Sequence, residues 1–229
     1  QPAVGGEPAR FTAVSYYGDL NKRIAYCEGT PERTLTASNW EYAALPDLSG
    51  YSAYEGIAYS TTTNQYLVSA RLADGNKRAA YANVTDITAW NTVNAPTYSY
   101  NSVRYGDGWF VLPAKDRHIV WVKDTKITSD NSSVWKSFAT SFDAWEACYG
   151  DGKFIVVGET GTIAWADSSN LNSANPWNVV DLSAYMPEVS TIQCCTYGDG
   201  RFVVSTGYGS VGWCNADEIN DATKWKWTK

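Results

Sequence analysis

The sequence is poor in histidine, in methionine and in charge. Of its 229 residues one is His, one is Met and 18% are charged, with a net charge of −6 and a pI near 4.8. Its Lys and Arg residues are scattered singly along the chain, so the acidic balance argues against a nucleic acid or an anionic membrane as partner. The charge is compatible with neutral ligands and with cationic surfaces as partners.

Long apolar runs are also absent. No stretch reaches the roughly 18 apolar residues that a membrane-spanning helix needs, so we predict no membrane insertion. The N-terminus lacks a basic region followed by an apolar run, which excludes a retained signal peptide, whereas a cleaved one remains compatible with the sequence.

The cysteines do not follow the spacing of a metal site. Five are present, an odd number, so at least one thiol is free in a monomer. Neither Cys-x-x-Cys nor a Cys/His pattern suggests zinc. Because they fall within apolar strands, we predict buried structural thiols for Cys27, Cys148, Cys194, Cys195 and Cys214.

A cassette repeated five times dominates the remaining sequence. Each copy has an apolar strand, a short turn, a second strand ending in an aromatic residue, a polar loop and a Trp. The closing aromatics are Tyr26, Tyr81, Trp121, Trp165 and Trp213. The Trp residues that follow are Trp40, Trp90, Trp135, Trp177 and Trp225, and we expect them in the core. A repeat of roughly 40 to 50 residues with short strands is typical of propeller blades.

Three of the copies begin with the same tetrapeptide. Tyr-Gly-Asp-Gly occupies residues 105–108, 149–152 and 197–200. Asp-Gly between apolar runs is a strong signal for a two-residue hairpin, because both turn positions need positive φ.

The sequence therefore predicts an all-β fold, a five-bladed β-propeller with about 46 residues per four-stranded blade. We expect one domain over residues 1–229, with blades at about 1–50, 51–97, 98–142, 143–188 and 189–229. Blade one departs from the pattern, since only residues 1–6 are left to serve as its inner strand, if it has one.

The connections between blades carry aromatic residues among small polar ones. In a propeller they lie on one face together with the turns between second and third strands. Aromatic rings and neighbouring amides and hydroxyls match the apolar and hydroxyl faces of a sugar, so we expect several similar glycan sites here. The candidate ligand-binding residues are Tyr54, Tyr98, Tyr100, Asn101, Trp145 and Tyr185. Packing between blades is the alternative role for Tyr54, Tyr100 and Trp145.

Catalytic, metal and cofactor sites are not predicted. The one histidine, His118, lies near Asp116, but a solvent-exposed turn explains the pair better, because no Ser or Cys nucleophile can be placed beside it. The Asp residues of the tetrapeptides are isolated, whereas calcium needs several converging carboxylates.

The cassette resembles two propeller groups. One is the Asp-box (BNR) propellers, whose box is degenerate here: its Asp is matched only by Asp124, and its Ser position holds Cys27, Ala82, Val122, Ala166 and Cys214. The other is the tachylectin-like lectins, similar in blade number and repeat length over the whole chain. Similar repeats also occur in phage fibre and virion-surface proteins. These resemblances imply a non-catalytic glycan-binding protein, extracellular or on a virion surface, that serves adhesion.

Two other functions remain open at this point. A structural or protein-interaction propeller, such as a virion decoration protein, would also carry aromatic residues around one rim. A glycoside hydrolase is disfavoured: the Asn-Asp-Pro-Asn-Gly type motif that invertase-like enzymes carry is missing from the first blade, and no residue set matches the arginine triad of sialidases.

Overall fold

Antiparallel β-sheets make up the chain. A computed structural model describes residues 10–15, 24–29, 36–45, 53–71, 79–128 and 131–228. Its strands form five sheets that follow one another along the chain, and each sheet is called a blade below. Blades two to five have four strands, and blade one has three within the described residues. The all-β, five-bladed prediction is confirmed.

Strands occupy the same place in each blade, in chain order. The first, inner strands are β4 (Ala53–Ser60), β8 (Arg104–Gly106), β12 (Ala144–Gly150) and β16 (Ile192–Gly198). The second strands are β1 (Arg10–Val14), β5 (Gln65–Arg71), β9 (Trp109–Ala114), β13 (Lys153–Gly158) and β17 (Arg201–Thr206). The inner strand of blade one, which the sequence places at residues 1–6, lies outside the described residues.

The two outer strands complete each blade. The third strands are β2 (Ile24–Glu28), β6 (Ala79–Asn83), β10 (His118–Lys123), β14 (Thr162–Asp167) and β18 (Val211–Asn215). The fourth strands are β3 (Glu41–Ala43), β7 (Asp86–Val93), β11 (Lys136–Ala139), β15 (Asn178–Asp181) and β19 (Lys226–Thr228). Short 3₁₀ turns lie at Ala37–Asn39, Asp124–Lys126, Ser132–Val134, Glu159–Gly161, Ser168–Asn170 and Ala222–Lys224. Within the described part of the chain, no helix is long and apolar enough to cross a membrane.

The three tetrapeptides form the predicted hairpin turns between first and second strands. Asp107, Asp151 and Asp199 have φ of 46°, 49° and 49°, and the Gly after each also has positive φ. Both central positions are thus left-handed, as the Asp-Gly signal requires.

Apolar side chains pack between neighbouring blades. The described residues form four hydrophobic clusters, at the junctions of blades one and two, two and three, three and four, and four and five. The repeat tryptophans Trp135, Trp177 and Trp225 are buried in these clusters as expected, while Trp40 and Trp90 are half-buried. Stacking of blades therefore supplies the core.

In blades four and five, a tyrosine packs on a glycine of the blade before it. A Cβ at Gly106 would lie 2.1 Å from Cγ of Tyr149, and one at Gly150 would lie 2.0 Å from Cγ of Tyr197. Each tyrosine also contacts the phenylalanine of its own second strand, with 4.7 Å between the ring centroids of Tyr149 and Phe154. Glycine is required at these positions because the ring occupies the space of a side chain.

The burial of the cysteine thiols follows the alternating direction of side chains along the strands. Cys27, Cys148, Cys195 and Cys214 are buried, as predicted. Burial raises the pKa of Cys214 to about 11, and burial also raises the pKa of Cys195 well above its usual value.

Cys194 is exposed, and the prediction of a buried thiol is wrong there. Neighbouring strand residues point to opposite faces. The Cys195 sulfur approaches the carbonyl oxygen of Ile155 in blade four, at 3.9 Å, so Cys194 faces away from that blade.

Candidate functional site

Three of the four described inner strands are interrupted at the end where the connection from the previous blade enters. The register shifts between Tyr54 and Gly56, between Ala144 and Glu146, and between Ile192 and Cys194. A β-bulge places one extra residue out of the ladder and re-aims its side chain. The bulged residues are Glu55, Trp145 and Gln193.

Asn101 occupies the corresponding place in blade three. It follows Tyr100, which bridges to Ala114 as Ala144 pairs with Gly158 in blade four. The bulge set thus consists of Glu55, Asn101, Trp145 and Gln193. The sequence analysis selected two of the four, Asn101 and Trp145, and missed Glu55 and Gln193. The four share a register position on the inner strands, whereas their residue types differ.

Tyr54 and Tyr100 lie in the core, which is the packing role given above as the alternative for both residues. Tyr54 is 1% exposed and Tyr100 is 0% exposed. The Tyr100 hydroxyl donates to the carbonyl oxygen of Pro96, at 2.7 Å. Each of the two residues immediately precedes a bulge. Its ring lies in the hydrophobic cluster at the junction with the preceding blade, where a ligand in solvent cannot reach it.

Tyr98 and Asn101 hold the connection into blade three in place. The Tyr98 ring stacks on His118, with centroids 4.0 Å apart and planes inclined by 17°. The imidazole Nδ1 lies 2.7 Å from the carbonyl oxygen of Asp116. The Asn101 amide donates to the carbonyl oxygen of Ala144 at 2.7 Å and so links blades three and four.

Trp145 and Tyr185 remain accessible. Trp145 is half-buried at its bulge, and Tyr185 is 47% exposed on the connection between blades four and five. The structure therefore does not gather the six predicted residues into equivalent sites. Two are buried, two are engaged in contacts within the protein, and two lie toward blades four and five.

A cavity of about 560 Å³ opens between blades four and five. The residues lining it define the four–five rim: Glu159, Thr160, Val189, Ser190, Thr191, Gln193, Gly207 and Tyr208. Seven of them come from the second-to-third-strand turns of both blades and from the connection between the blades, as propeller geometry predicts, and Gln193 comes from the inner strand of blade five.

The local backbone brings these residues together. The 3₁₀ turn at Glu159–Gly161 contains Thr160 at φ 58°, and the Glu159 amide donates to the carbonyl oxygen of Asp143 at 3.1 Å. The Gly207 amide donates to the carbonyl oxygen of Thr191 at 3.1 Å, which anchors the turn of blade five to the incoming connection. Gln193, a member of the bulge set, lies over Gly207.

Exposed apolar side chains concentrate around this rim. Val189 is 58% exposed and Tyr208 is 65% exposed, and both line the cavity. Together with Tyr185 they are three of the five large apolar side chains exposed among the described residues, the others being Tyr42 and Val179. Large apolar groups are exposed together where they contact a ligand or partner. The residues of the rim have one carboxylate, that of Glu159, and no basic side chain.

Comparison with solved structures supports the architecture. The chain is similar to the WD40 β-propeller domain of Doa1, with a TM-score of 0.61 and 13% identity over 95% of this chain and 65% of that domain. The fold is a β-propeller. A structure of YCF48 bound to the D1 peptide matches with a TM-score of 0.60 and 10% identity, over 95% of this chain and 62% of that one.

A designed protein is also similar. The computationally designed Ika4 protein matches with a TM-score of 0.52 and 14% identity, over 73% of this chain and 94% of that one. This chain spans about 65% of the length of the Doa1 propeller domain. No protein-family model and no curated protein matches the sequence. At these identities the likeness is one of fold.

Proposed function

We propose that this chain is a non-catalytic binding propeller that contacts a protein partner through the four–five rim. The observation that carries the proposal is the exposure of Val189 and Tyr208 on the wall of one cavity. A protein ligand gains from covering both an aliphatic and an aromatic side chain, and tyrosine is enriched among residues that dominate interface energy. The exposed Tyr185 extends the apolar surface along the same connection.

The polar groups of the rim suit an extended peptide. Thr160, Ser190 and Thr191 have hydroxyl groups, and Gln193 has an amide that can both donate and accept hydrogen bonds. Such groups can satisfy the backbone N–H and C=O groups of a bound segment. The carboxylate of Glu159 favours a neutral or cationic segment, in keeping with a net charge of −6. YCF48, a similar fold, is a propeller that holds a peptide.

The chemistry of the rim favours binding over catalysis. A glycoside hydrolase needs two carboxyl groups across the scissile bond, and the rim residues supply only Glu159. His118, the residue that would invite a catalytic role, has its ring stacked on Tyr98 and one nitrogen beside a backbone oxygen.

The proposal is tested by selecting peptides from a random displayed library on the immobilised protein and titrating the strongest binders. Tyr208→Ala should raise their dissociation constants at least tenfold, since a central tyrosine contributes about 2 kcal/mol or more. Tyr42→Ala removes a ring from blade one that is 55% exposed, against 65% for Tyr208, and should leave affinity unchanged. Equal loss in both variants, or no loss in Tyr208→Ala, would refute the rim as the binding site.

Glycan binding at the same cavity is the second candidate, favoured by the exposed Tyr208 ring beside Ser190, Thr191 and Gln193. The bulge set differs in residue type from blade to blade, so we propose one site per chain instead of several. A glycan array followed by titration should then give a stoichiometry near one, abolished by Tyr208→Ala. Sugar binding without peptide binding would favour this candidate, and with it a place on a cell or virion surface and a role in adhesion.

A further inference from the structure

Two free thiols, those of Cys148 and Cys195, face each other across the junction of blades four and five. Cys148 lies in β12 and pairs with Ile155, while Cys195 lies in β16, the inner strand of the next blade. The Cys195 sulfur lies 3.9 Å from the carbonyl oxygen of Ile155, the ladder partner of Cys148. Both cysteines belong to the same hydrophobic cluster, and their side chains are within hydrogen-bonding range of each other.

The equivalent positions also meet at the junction of blades three and four. Arg104 occupies the place of Cys148 on its inner strand. Ala147 occupies the place of Cys195. The Arg104 Nε atom donates to the carbonyl oxygen of Ala147 at 2.9 Å, so contact between these two positions is part of how the blades stack. At the four–five junction both positions hold cysteine.

The inner strands of blades four and five approach closely enough for a disulfide. Two residues further along each strand, a Cβ at Gly150 would lie 2.0 Å from Cγ of Tyr197. Bond lengths then limit the distance between the Cα atoms of these two residues to about 6 Å, inside the range of about 4.4–6.8 Å that a disulfide needs. Because β12 and β16 run in the same direction, Cys148 and Cys195 have a comparable separation.

Burial and neighbouring groups control the reactivity of Cys195. Burial raises the pKa of the Cys195 thiol well above its usual value, and the contact with Cys148 raises it further. The Glu146 carboxylate also raises this pKa, whereas the Arg104 guanidinium group lowers it. Because the thiolate is the nucleophile, oxidation is slow near neutral pH and faster at mildly alkaline pH. Cys195 is 9% exposed and Cys148 is 4% exposed, so a small oxidant such as hydrogen peroxide reaches Cys195 first.

We propose that Cys148 and Cys195 are a modification site, at which a peroxide oxidises the two thiols to a disulfide that joins blades four and five. The Cys195 thiolate attacks one peroxide oxygen, the O–O bond breaks, and a sulfenic acid and one water form. The Cys148 sulfur then attacks the sulfenic sulfur, so that the S–S bond forms, the S–O bond breaks, and the hydroxide leaves with the Cys148 proton as water. Two thiols and one hydrogen peroxide thus give one disulfide and two waters. This inference is independent of the function proposed for the four–five rim.

Peptide mapping of the folded, oxidised protein tests the proposal. The protein is treated with hydrogen peroxide at mildly alkaline pH, its remaining thiols are alkylated, and the monomer is digested with trypsin without reduction. Lys153 is the one Lys or Arg between Cys148 and Cys195 in the sequence. Trypsin therefore separates the two cysteines into peptides that stay together only if a disulfide joins them. We expect the linked peptides, and we expect a reducing agent to release them.

Variants that remove either sulfur show whether both are needed. Cys148→Ala and Cys195→Ala should each abolish the linked peptides. Both variants should fold, because alanine holds the same two places at other junctions, as Ala58 and Ala147.

Two further variants are matched controls. Cys194→Ala removes the exposed thiol that shares a tryptic peptide with Cys195. Cys214→Ala removes another buried thiol of the same hydrophobic cluster. Both variants should give the linked peptides as the wild type does.

The disulfide should also stabilise the fold. It closes the chain between residues 148 and 195 into a loop and so lowers the entropy of the unfolded chain. Oxidised Cys194→Ala protein should therefore unfold at a higher urea concentration than the same protein after reduction. Cys148→Ala protein treated in the same way should show no such shift.

Three outcomes would overturn the proposal. If peroxide leaves Cys148 and Cys195 reduced, or converts them only to sulfinic or sulfonic acids, the two sulfurs do not bond. If the linked peptides disappear in Cys194→Ala, the exposed thiol forms the bond instead. If the oxidised protein unfolds at a lower urea concentration than the reduced protein, the native packing does not accommodate the bond.

Discussion

At the scale of single residues, two glycines of the tetrapeptide repeats have opposite surroundings although their sequence context is the same. Gly150 lies beneath the Tyr197 ring, whereas no described atom approaches the corresponding position of Gly198. Gly150→Ala should lower the free energy of unfolding by about 2–3 kcal/mol, because overpacking forces the ring or the strand to shift. Gly198→Ala should cost less than about 0.5 kcal/mol. Denaturant unfolding of dilute protein measures both, and equal losses would contradict the packing described for Tyr197.

Buried ionisable side chains predict how stability depends on pH. Burial raises the pKa of Tyr66 to about 12, and nearby Arg10 opposes this shift only in part. Burial likewise raises the pKa of Cys214 to about 11. Both groups are neutral in the fold but ionise in the unfolded chain near their usual pKa values of 10.0 and 9.0. Their contribution is therefore complete below about pH 9 and is lost as the pH rises from there to about 12.

Thermal unfolding between pH 7 and pH 12 checks this dependence. Tyr66→Phe removes one of the two ionising groups and should flatten the decline above about pH 10. A melting temperature that stays constant to pH 11 would contradict the burial of both groups.

At the scale of elements, the hairpin turns depend on backbone conformation more than on contacts. Gly152 has φ of 70°, and no described atom lies within 4 Å of a Cβ built on it. Gly152→Ala should therefore cost about 1–2 kcal/mol through the left-handed conformation alone. Gly198→Ala serves as the control, since that glycine has no positive φ and no described atom lies within 4 Å of a Cβ built on it. If the two variants unfold at the same denaturant concentration, the turn is not the left-handed type described.

Strand order and hairpin type could be predicted from the sequence because both depend on local signals. The Asp-Gly turns and the recurrent Trp lie within one cassette and need no knowledge of neighbouring blades. Whether Tyr100 faces solvent or core depends on its register beside a bulge and on the blade that covers it. The sequence pattern places Tyr100 and Asn101 on the same connection, yet one is buried and the other binds the Ala144 carbonyl oxygen.

At the scale of the whole molecule, positions that repeat from blade to blade build the scaffold, and positions that differ between blades form the candidate site. Equivalent positions that pack between blades keep their residue types, as with the tyrosines on Gly106 and Gly150. The bulge set and the second-to-third-strand turns differ in residue type from blade to blade, so the residues of the four–five rim are not repeated in the sequence at the other junctions. Val189 and Tyr208 could not be selected by repetition, because a single site leaves no periodic signal.

Hydrogen–deuterium exchange with and without the strongest selected ligand tests the four–five rim most directly. We expect slower exchange on binding at residues 159–161, 189–193 and 207–209, with the hairpin turns at 107–108 and 151–152 unchanged because they lie at the opposite end of the strands. Protection confined to those hairpin turns, or to the outer strands, would contradict the assignment of the rim as the binding surface.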